Sequence, residues 1–352
     1  MKASEQDIKC LESLYAGTKA YQGELHDHGA TGGTSDGHNT LDEWKEELAA
    51  LEMDFATIVD HRQVRHMYLP EWDKSIFIGG TEPGTRIEDG KGENNALHYN
   101  MLFADPEPLE ELLEEFTEYE FTGGPEGHFI YPRFTRERFC HLVNRVFDKG
   151  GFFVHPHPTS VMISDDPLDY WFRDGMGLEV FYTYHDEPGG ERSQANYQLW
   201  RQVLALGKRV YATAGNDEHR LPKDKALTTI YARKKDSHAF IAQLRAGNIT
   251  CGGVGVRMCV GDTKMGGSCS FAGKRLVLSV GDFHRSLRHP DHTYRVVLLS
   301  DEGEALSREI RCDETTYFAL DADDTKKFYR AEIYDNTQDF PIALGNPIWN
   351  EQ

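Results

Sequence analysis

Short apolar runs alternate with helical patterns along the first two thirds of the chain, which is typical of a parallel α/β architecture. Most of these runs have the length of a strand and end beside a histidine, an aspartate or a glutamate. We therefore predict seven strands, at residues 22–28, 55–61, 75–82, 97–103, 151–157, 177–183 and 209–217.

Helical patterns lie between these runs. The clearest begins after Thr40, because Thr40 and Glu43 have the spacing of a capping box. Apolar side chains then recur at helical spacing on one face, at Leu41, Trp44, Leu48 and Leu51. Two more helices are predicted at about residues 136–149, ending at a Gly-Gly pair, and at about residues 193–206.

The pattern changes near residue 227, where β-rich segments separated by turn residues replace the alternation. One helical pattern, at residues 237–246, interrupts them. We therefore predict a β/α barrel in residues 1–222 and a smaller, mainly β, sandwich-like domain in residues 223–352.

The composition is strongly acidic, with 58 Asp and Glu against 38 Lys and Arg and a net charge of −20. Because nucleic-acid backbones attract clustered basic side chains, we expect nucleic acid to be an unlikely partner and the substrate to be a small molecule. No run approaches the ~18 apolar residues of a membrane span. The N-terminal residues lack the apolar segment of a secretory signal, and the six scattered cysteines predict free thiols. We expect a cytoplasmic protein without membrane contact.

Candidate metal ligands gather where the predicted strands end. Alternate residues of a strand point the same way, so His26 and His28 can reach one ion together, as can Asp217 and His219. The loops that follow barrel strands line one mouth, so side chains from different strands converge there. The candidates are His26, His28, Asp36, His61, Glu82, His98, His155, Asp217 and His219.

These residue types indicate a polynuclear metal centre. Imidazole and carboxylate groups suit zinc, manganese or iron, and no thiolate motif lies near them. Nine candidate ligands are too many for one tetrahedral ion, so we predict two or three divalent ions bridged by a carboxylate. Such clusters lower the pKa of a water towards neutrality and bind both the attacking and the leaving oxygen of a displacement.

The order of these segments resembles the PHP (polymerase and histidinol phosphatase) family of metallohydrolases over roughly residues 21–220. The segments that carry the resemblance are "ELHDHGATGGTSDG", "ATIVDHRQ", "IFIGGTEPGTR", "ALHYNML", "FFVHPHP" and "TAGNDEH". The C-terminal "ALGNPIWN" is similar to the CehA/McbA-type sub-group. The resemblance implies a distorted seven-stranded β/α barrel and a metal-dependent hydrolase.

The resemblance also implies three metal positions. The first would be held by His26, His28, Glu82 and Asp217. The second would share Glu82 with His98 and His155, and the third would be held by Asp36, His61 and His219. Two alternatives stay open, because His38 follows Asp36 closely and His157 follows His155.

The leading hypothesis is a phosphoesterase in which Asp217 or His219 passes a proton to the leaving oxygen. Three arginines close to predicted ligands, Arg62, Arg86 and Arg220, could bind an anionic substrate, because guanidinium groups match phosphate oxygens. Asp60 and Glu179 are expected to orient ligating histidines. Hydrolysis of a carboxyl or carbamate ester at the same site and a non-catalytic metal-binding module are the alternatives.

Overall fold

The computed structural model describes residues 2–88, 96–119, 132–161, 166 and 172–351. The α-helices in these ranges are α1 (Glu5–Leu14), α2 (Leu41–Ala50), α3 (Pro106–Glu115), α4 (Arg136–Asp148), α5 (Pro158–Val161), α6 (Glu191–Ala205) and α7 (Ser237–Ala246). Helix α7 has the predicted bounds, and α2, α4 and α6 agree with the predicted helices to within about two residues.

Helix α2 begins with the predicted capping box. The Glu43 amide donates to the Thr40 hydroxyl (3.3 Å), and the Thr40 amide donates to the Glu43 carboxylate (2.8 Å). Trp44 and Leu48 are buried on the face that packs against the apolar core around Phe77. The helix therefore covers the outside of the sheet that carries the candidate ligands.

This sheet is mixed and, in the residues that the structure describes, contains six strands. They are β2 (Ala56–Ile58), β3 (Phe77–Thr81), β6 (Asn100–Phe103), β8 (Phe152–His155), β9 (Gly177–Tyr182) and β10 (Tyr211–Gly215). Their order is β10-β9-β8-β6-β3-β2, with β6 antiparallel to both neighbours and the other pairs parallel. The α/β class is confirmed, but the predicted seven-stranded barrel is not.

Residues 24–28 connect the two edges of this sheet. On one side the Asp27 amide donates to the carbonyl of Thr57 in β2 (3.0 Å). On the other side the His28 amide donates to the Glu218 carbonyl (2.8 Å), just beyond β10. The predicted first strand is regular only as far as Gly23, because the following residues make isolated bridges to two neighbours instead of a continuous ladder.

The first strand lies in a different, largely antiparallel sheet. Its strands are β1 (Lys19–Gly23), β11 (Thr228–Ala232), β12 (Ile249–Gly252), β15 (Ser268–Cys269), β17 (Tyr294–Ser300), β18 (Gly303–Ile310), β20 (Phe328–Asp335) and β21 (Ala343–Asn350). Their order is β1-β11-β12-β21-β20-β17-β18, and β15 pairs with β21. This sheet joins residues from both sides of position 222, so a domain boundary there stays a prediction.

A second antiparallel sheet faces part of the first. It contains β13 (Gly255–Val260), β14 (Thr263–Lys264), β16 (Arg275–Gly281) and β19 (Thr316–Asp321), in the order β14-β13-β16-β19. One apolar core joins Val256 and Leu278 of this sheet to Val296 and Ile333 of the larger one. The two sheets therefore form a sandwich.

Three further short strands, β4 (Gly84–Glu88), β5 (Ala96–His98) and β7 (Arg133–Thr135), pair in the order β5-β4-β7. The six cysteines are free thiols, as predicted. Among the residues that the structure describes, none of the helices combines the length and the apolar character needed to cross a bilayer.

Asn346, on β21, ties the sandwich to the six-stranded sheet. Its buried side chain accepts a hydrogen bond from the Ala212 amide (2.7 Å) and donates to the Ala212 carbonyl (3.3 Å) and the Ile249 carbonyl (3.2 Å). Ala212 lies on β10, three residues before the end of the strand that precedes Asp217. The position of Asp217 therefore depends on a side chain from the C-terminal strand.

Asn346→Leu keeps the approximate size of the side chain but leaves the Ala212 amide buried without its acceptor. We expect the free energy of unfolding to fall by about 1–3 kcal/mol, measured by urea denaturation. Asn144→Leu, at an exposed position of α4, is the control and should change stability by less than about 0.5 kcal/mol. Equal stabilities for both variants would remove the structural role of Asn346.

Candidate metal centre

Glu82 lies directly after β3, is only 2% exposed and has five imidazoles around its carboxylate, the farthest being His61, whose Nδ1 is 3.5 Å from Oε2. Its Oε1 is 3.0 Å from His98 Nδ1 and 3.1 Å from His157 Nε2. Its Oε2 is 3.4 Å from His26 Nε2 and 3.3 Å from His28 Nε2. Each carboxylate oxygen thus faces a different set of histidines, as in a carboxylate that bridges two ions.

The first ligand group contains His26, His28, Glu82 and Asp217, all buried. Asp217 Oδ1 lies 3.3 Å from His26 Nε2 and 3.2 Å from His28 Nε2. Ligands about 2.0–2.2 Å from one ion are separated from each other by about 3.0–3.5 Å, which matches these distances. Within the described residues, both Nε2 atoms lack a hydrogen bond. The group therefore fits a divalent transition-metal ion.

The second group contains Glu82, His98 and His157. His155, the predicted member, is the last residue of β8 and stacks on Phe172 at a ring distance of 6.0 Å. Alternate residues share a side only in a regular strand, and the left-handed backbone of His157 (φ 26°) ends that regularity. The structure therefore groups His157, and not His155, with Glu82 and His98, and the choice of ligand stays a prediction.

The third group contains His28, Asp36, His61 and His219. Asp36 Oδ2 lies 3.4 Å from His61 Nε2 and 3.3 Å from His219 Nε2, and Asp36 Oδ1 lies 3.7 Å from His28 Nδ1. Burial would raise the pKa of Asp36, but the imidazoles of His219 and His61 hold it well below its usual value. His38 is exposed and contributes its backbone amide, which donates to the His219 carbonyl (2.7 Å). The geometry favours Asp36 over His38.

Glu179, inside β9, positions two of these histidines. Its Oε1 lies 3.1 Å from His26 Nδ1, and its Oε2 accepts a hydrogen bond from the His157 amide (2.7 Å). A Cβ atom on Gly215, the last residue of β10, would lie 2.3 Å from Glu179 Oε1, so only glycine leaves room for this contact. Glu179 thus has the orienting role that we expected.

Asp60 was also expected to orient a ligating histidine, and this expectation is not met. Its Oδ1 accepts a hydrogen bond from the Gly29 amide (2.8 Å), and its Oδ2 lies 3.3 Å from His66 Nδ1 and contacts the Thr31 hydroxyl. His66 belongs to none of the three ligand groups. Asp60 therefore fixes the loop after His28 and does not orient a candidate ligand.

Two tyrosines at the end of β9 were not predicted. The Tyr182 hydroxyl donates to Asp217 Oδ2 (3.0 Å), and burial raises the pKa of Tyr182, which keeps this donor protonated. The half-buried ring of Tyr184 lies 5.5 Å from the ring of His219. The sequence carries one signal for these two residues. It is a Tyr-x-Tyr pair at the end of a predicted strand that has no candidate ligand.

The three arginines lie in different surroundings. Arg62 is half-buried with a left-handed backbone (φ 54°), and Arg86 is half-buried on β4, the strand partner of the one that carries His98. Arg220 is exposed. A clamp for an anionic substrate formed by these arginines stays a prediction.

Fold and site define a curled mixed sheet that carries a buried, carboxylate-bridged group of histidines suited to metal ions. The sequence matches no family model and no curated protein. Among solved structures, it is similar to a two-domain protein containing a predicted PHP-like metal-dependent phosphoesterase from Bacteroides vulgatus. That match has 13% identity over 91% of this chain and 95% of that chain, with a TM-score of 0.42.

Two further solved structures are similar. An amidohydrolase from Chromobacterium violaceum with bound sulfate and no metal matches at 17% identity over 56% of this chain and 87% of that chain, with a TM-score of 0.42. Endonuclease Q in complex with a 27-mer duplex substrate matches at 11% identity over 64% and 57%, with a TM-score of 0.43. One of these neighbours is thus described as PHP-like, which is the family that the motifs resemble. The CehA/McbA-type sub-group is not confirmed. At these TM-scores the likenesses carry no argument about activity.

One prediction is corrected by these structures. The net charge of −20 predicts that nucleic acid is an unlikely partner, and this is wrong as an exclusion, because Endonuclease Q holds duplex DNA with an abasic lesion at its active site. Net charge describes the whole chain, whereas bound cations invert the local charge at a site lined by carboxylates. An acidic composition therefore does not exclude nucleic acid for a chain with such a centre.

Glu179→Gln tests the positioning of the ligands. A glutamine cannot accept from both the His26 ring and the His157 amide, so we expect metal affinity to fall about 10- to 100-fold. Competition with a chromophoric chelator measures the affinity, and Glu46→Gln on the exposed face of α2 is the control. An unchanged affinity would show that Glu179 is dispensable for the ligands.

His157→Asn and His155→Asn separate the two candidates for the second group. We expect His157→Asn to bind one metal ion fewer per chain than the unmodified protein, because it removes a partner of Glu82. His155→Asn should keep the metal content, since His155 packs beside Phe172. Equilibrium dialysis followed by elemental analysis measures both, and the reverse pattern would restore His155 as the ligand.

Proposed function

We propose that the protein is a metal-dependent phosphoesterase that hydrolyses a phosphate ester at a centre of two or three divalent ions. The observation that carries the proposal is the placement of Glu82, whose two oxygens face two separate pairs of imidazoles at 3.0–3.4 Å. A single-ion site has no use for a buried carboxylate shared in this way. Centres of two ions bind both oxygens of an in-line displacement.

The proposal assigns each ligand group to one ion. His26, His28, Glu82 and Asp217 would hold the first, and Glu82, His98 and His157 the second. Asp36, His61 and His219 would hold the third, with His28 beside them. Zinc, manganese and iron all suit these donors. When bound, such ions supply Lewis acidity and lower the pKa of a water towards neutrality.

Charge balance favours a phosphate ester over a neutral ester. Three carboxylates, Asp36, Glu82 and Asp217, line the three groups, and histidine ligands are neutral when they bind metal. Two divalent ions balance these three carboxylates and Glu179, which lies 3.1 Å from His26 Nδ1, and a third ion gives the site a net positive charge. A site with net positive charge stabilises a phosphate dianion, and the charge that develops on it, more than it stabilises a neutral carboxyl or carbamate ester.

The residues around the ions have distinct roles in this proposal. Both oxygens of Asp217 are engaged, Oδ1 with His26 and His28 and Oδ2 with Tyr182. His219 is the better proton donor for the leaving oxygen when the first two groups alone hold ions, since its Nε2 then lies 3.3 Å from Asp36 and binds no ion. Arg62, Arg86 and Arg220 are proposed to bind the oxygens of the substrate.

Purified protein should hydrolyse p-nitrophenyl phosphate with manganese or zinc and lose this activity with a chelator. Glu82→Gln should lower kcat/KM at least about 100-fold, because one change weakens two ion sites. Glu46→Gln serves as the control for an exposed glutamate. Chelator-sensitive hydrolysis of p-nitrophenyl acetate or an aryl carbamate, with the phosphate left intact, would replace the proposal with a carboxyl or carbamate ester hydrolase. Protein that binds metal but cleaves none of these probes would favour a non-catalytic module.

A further inference from the structure

A second group of potential metal ligands lies in the sandwich, on elements separate from the candidate metal centre. His289 and His292 are in the turn before β17, and Asp335 is the last residue of β20. One ligand atom from each of the three lies within 4.8 Å of the other two. The two imidazole rings are 4.7 Å apart, and His292 Nδ1 is 2.7 Å from Asp335 Oδ2.

The backbone around this group is fixed by hydrogen bonds. The His292 amide donates to the His289 carbonyl (3.0 Å), which folds the His-Pro-Asp-His turn so that both rings lie together. The His289 amide donates to the hydroxyl of buried Tyr294 (3.0 Å), which itself donates to the Leu287 carbonyl (2.6 Å). Tyr294 also pairs with Asp335 across the sheet. The turn and the carboxylate are therefore held in register before any ligand binds.

The carboxylate of Asp335 is oriented with one oxygen towards the histidines. Its Oδ1 accepts hydrogen bonds from the Thr337 amide (3.0 Å) and the Thr337 hydroxyl (2.9 Å), which leaves Oδ2 directed at His292. Asp335 is buried, and the hydrogen bonds of Thr337 and His292 outweigh burial and lower its pKa, so the group is an anion.

A single histidine satisfies the free oxygen of Asp335, and a second one, His289, lies beside the first. His289 adds an exposed imidazole to which the structure gives no side-chain hydrogen bond within the described residues. Two imidazoles and one carboxylate are a ligand set that suits zinc, with a water in the fourth position. His292 is partly exposed, and a shift of about 0.5 Å in its ring would widen the 2.7 Å contact to the spacing of two zinc ligands.

We propose that His289, His292 and Asp335 form a zinc site, completed by a water, that clips the turn before β17 to the end of β20. The segment after Asp335 leads to Phe340, whose ring packs 5.5 Å from Phe181 on β9 and 5.5 Å from Tyr197 on α6. The clip would thus stabilise the contact between the sandwich and the sheet that carries the candidate metal centre. It is independent of the proposed phosphoesterase activity.

Metal-free full-length protein titrated with Zn²⁺ tests this site. We expect His289→Ala and His292→Ala each to bind one zinc ion fewer than the unmodified protein, or to bind it at least about 10-fold more weakly. Both should also lose part of the increase in Tm that zinc gives, because an ion that binds only the folded chain stabilises it. Hydrolysis of p-nitrophenyl phosphate should be unchanged, which separates this result from a failure at the candidate metal centre.

His238→Ala, on the exposed face of α7, is the matched control and should bind as much zinc as the unmodified protein. Substitution with Co²⁺ adds a spectroscopic readout, because loss of a histidine ligand should remove one component of the visible absorption. Equal zinc content, affinity and Tm increase in His289→Ala, His292→Ala and the unmodified protein would overturn the proposal.

Discussion

A buried carboxylate keeps its charge only beside compensating groups, and the candidate metal centre is organised around one such carboxylate, Glu82. Burial alone would raise its pKa, but His26 and His98 hold it well below the usual value. The five imidazoles around Glu82 come from four separate parts of the chain, so its charge can be balanced only when the sheet is fully folded. Divalent ions provide the same compensation more strongly, which links metal binding to the stability of the fold.

The backbone deviates from regular structure where it supplies this centre. His157 and Asp217 adopt left-handed conformations that cost non-glycine residues about 1–3 kcal/mol each. Hydrogen bonds hold them there, from the His157 amide to Glu179 (2.7 Å) and from the Asp217 amide to the His26 carbonyl (2.8 Å). Residues 24–28 likewise lack a regular ladder of hydrogen bonds and instead contact both edges of the sheet. This places His26 and His28 between the two edges.

Most of the residues that meet at the candidate metal centre can be predicted from the sequence, because ligands that follow strands leave a local pattern. The His26-x-His28 spacing, Glu82 after a glycine-rich strand and Asp217-x-His219 all led to residues that the fold brings together. The choice between His155 and His157 depended on a single backbone angle, which no residue pattern reveals. The seven-stranded barrel is not confirmed for a similar reason, because residues 24–28 look like a strand but divide their hydrogen bonds between two neighbours. Tyr182 could not be predicted from a local pattern, because its partner Asp217 is 35 residues away in the chain.

The C-terminal strands support the candidate metal centre through contacts with β10, the strand that precedes Asp217. Strand β10 lies at the edge of the six-stranded sheet, and an edge strand leaves amides in need of partners. Side chains from the other sheet provide them, since Asn346 binds the Ala212 amide (2.7 Å) and the Thr228 hydroxyl accepts from the Ala214 amide (3.2 Å). Because β10 leads directly into Asp217, an error in this contact would move a candidate ligand. The asparagine in the motif "ALGNPIWN", Asn346, therefore has a structural role that does not depend on the reaction at the centre.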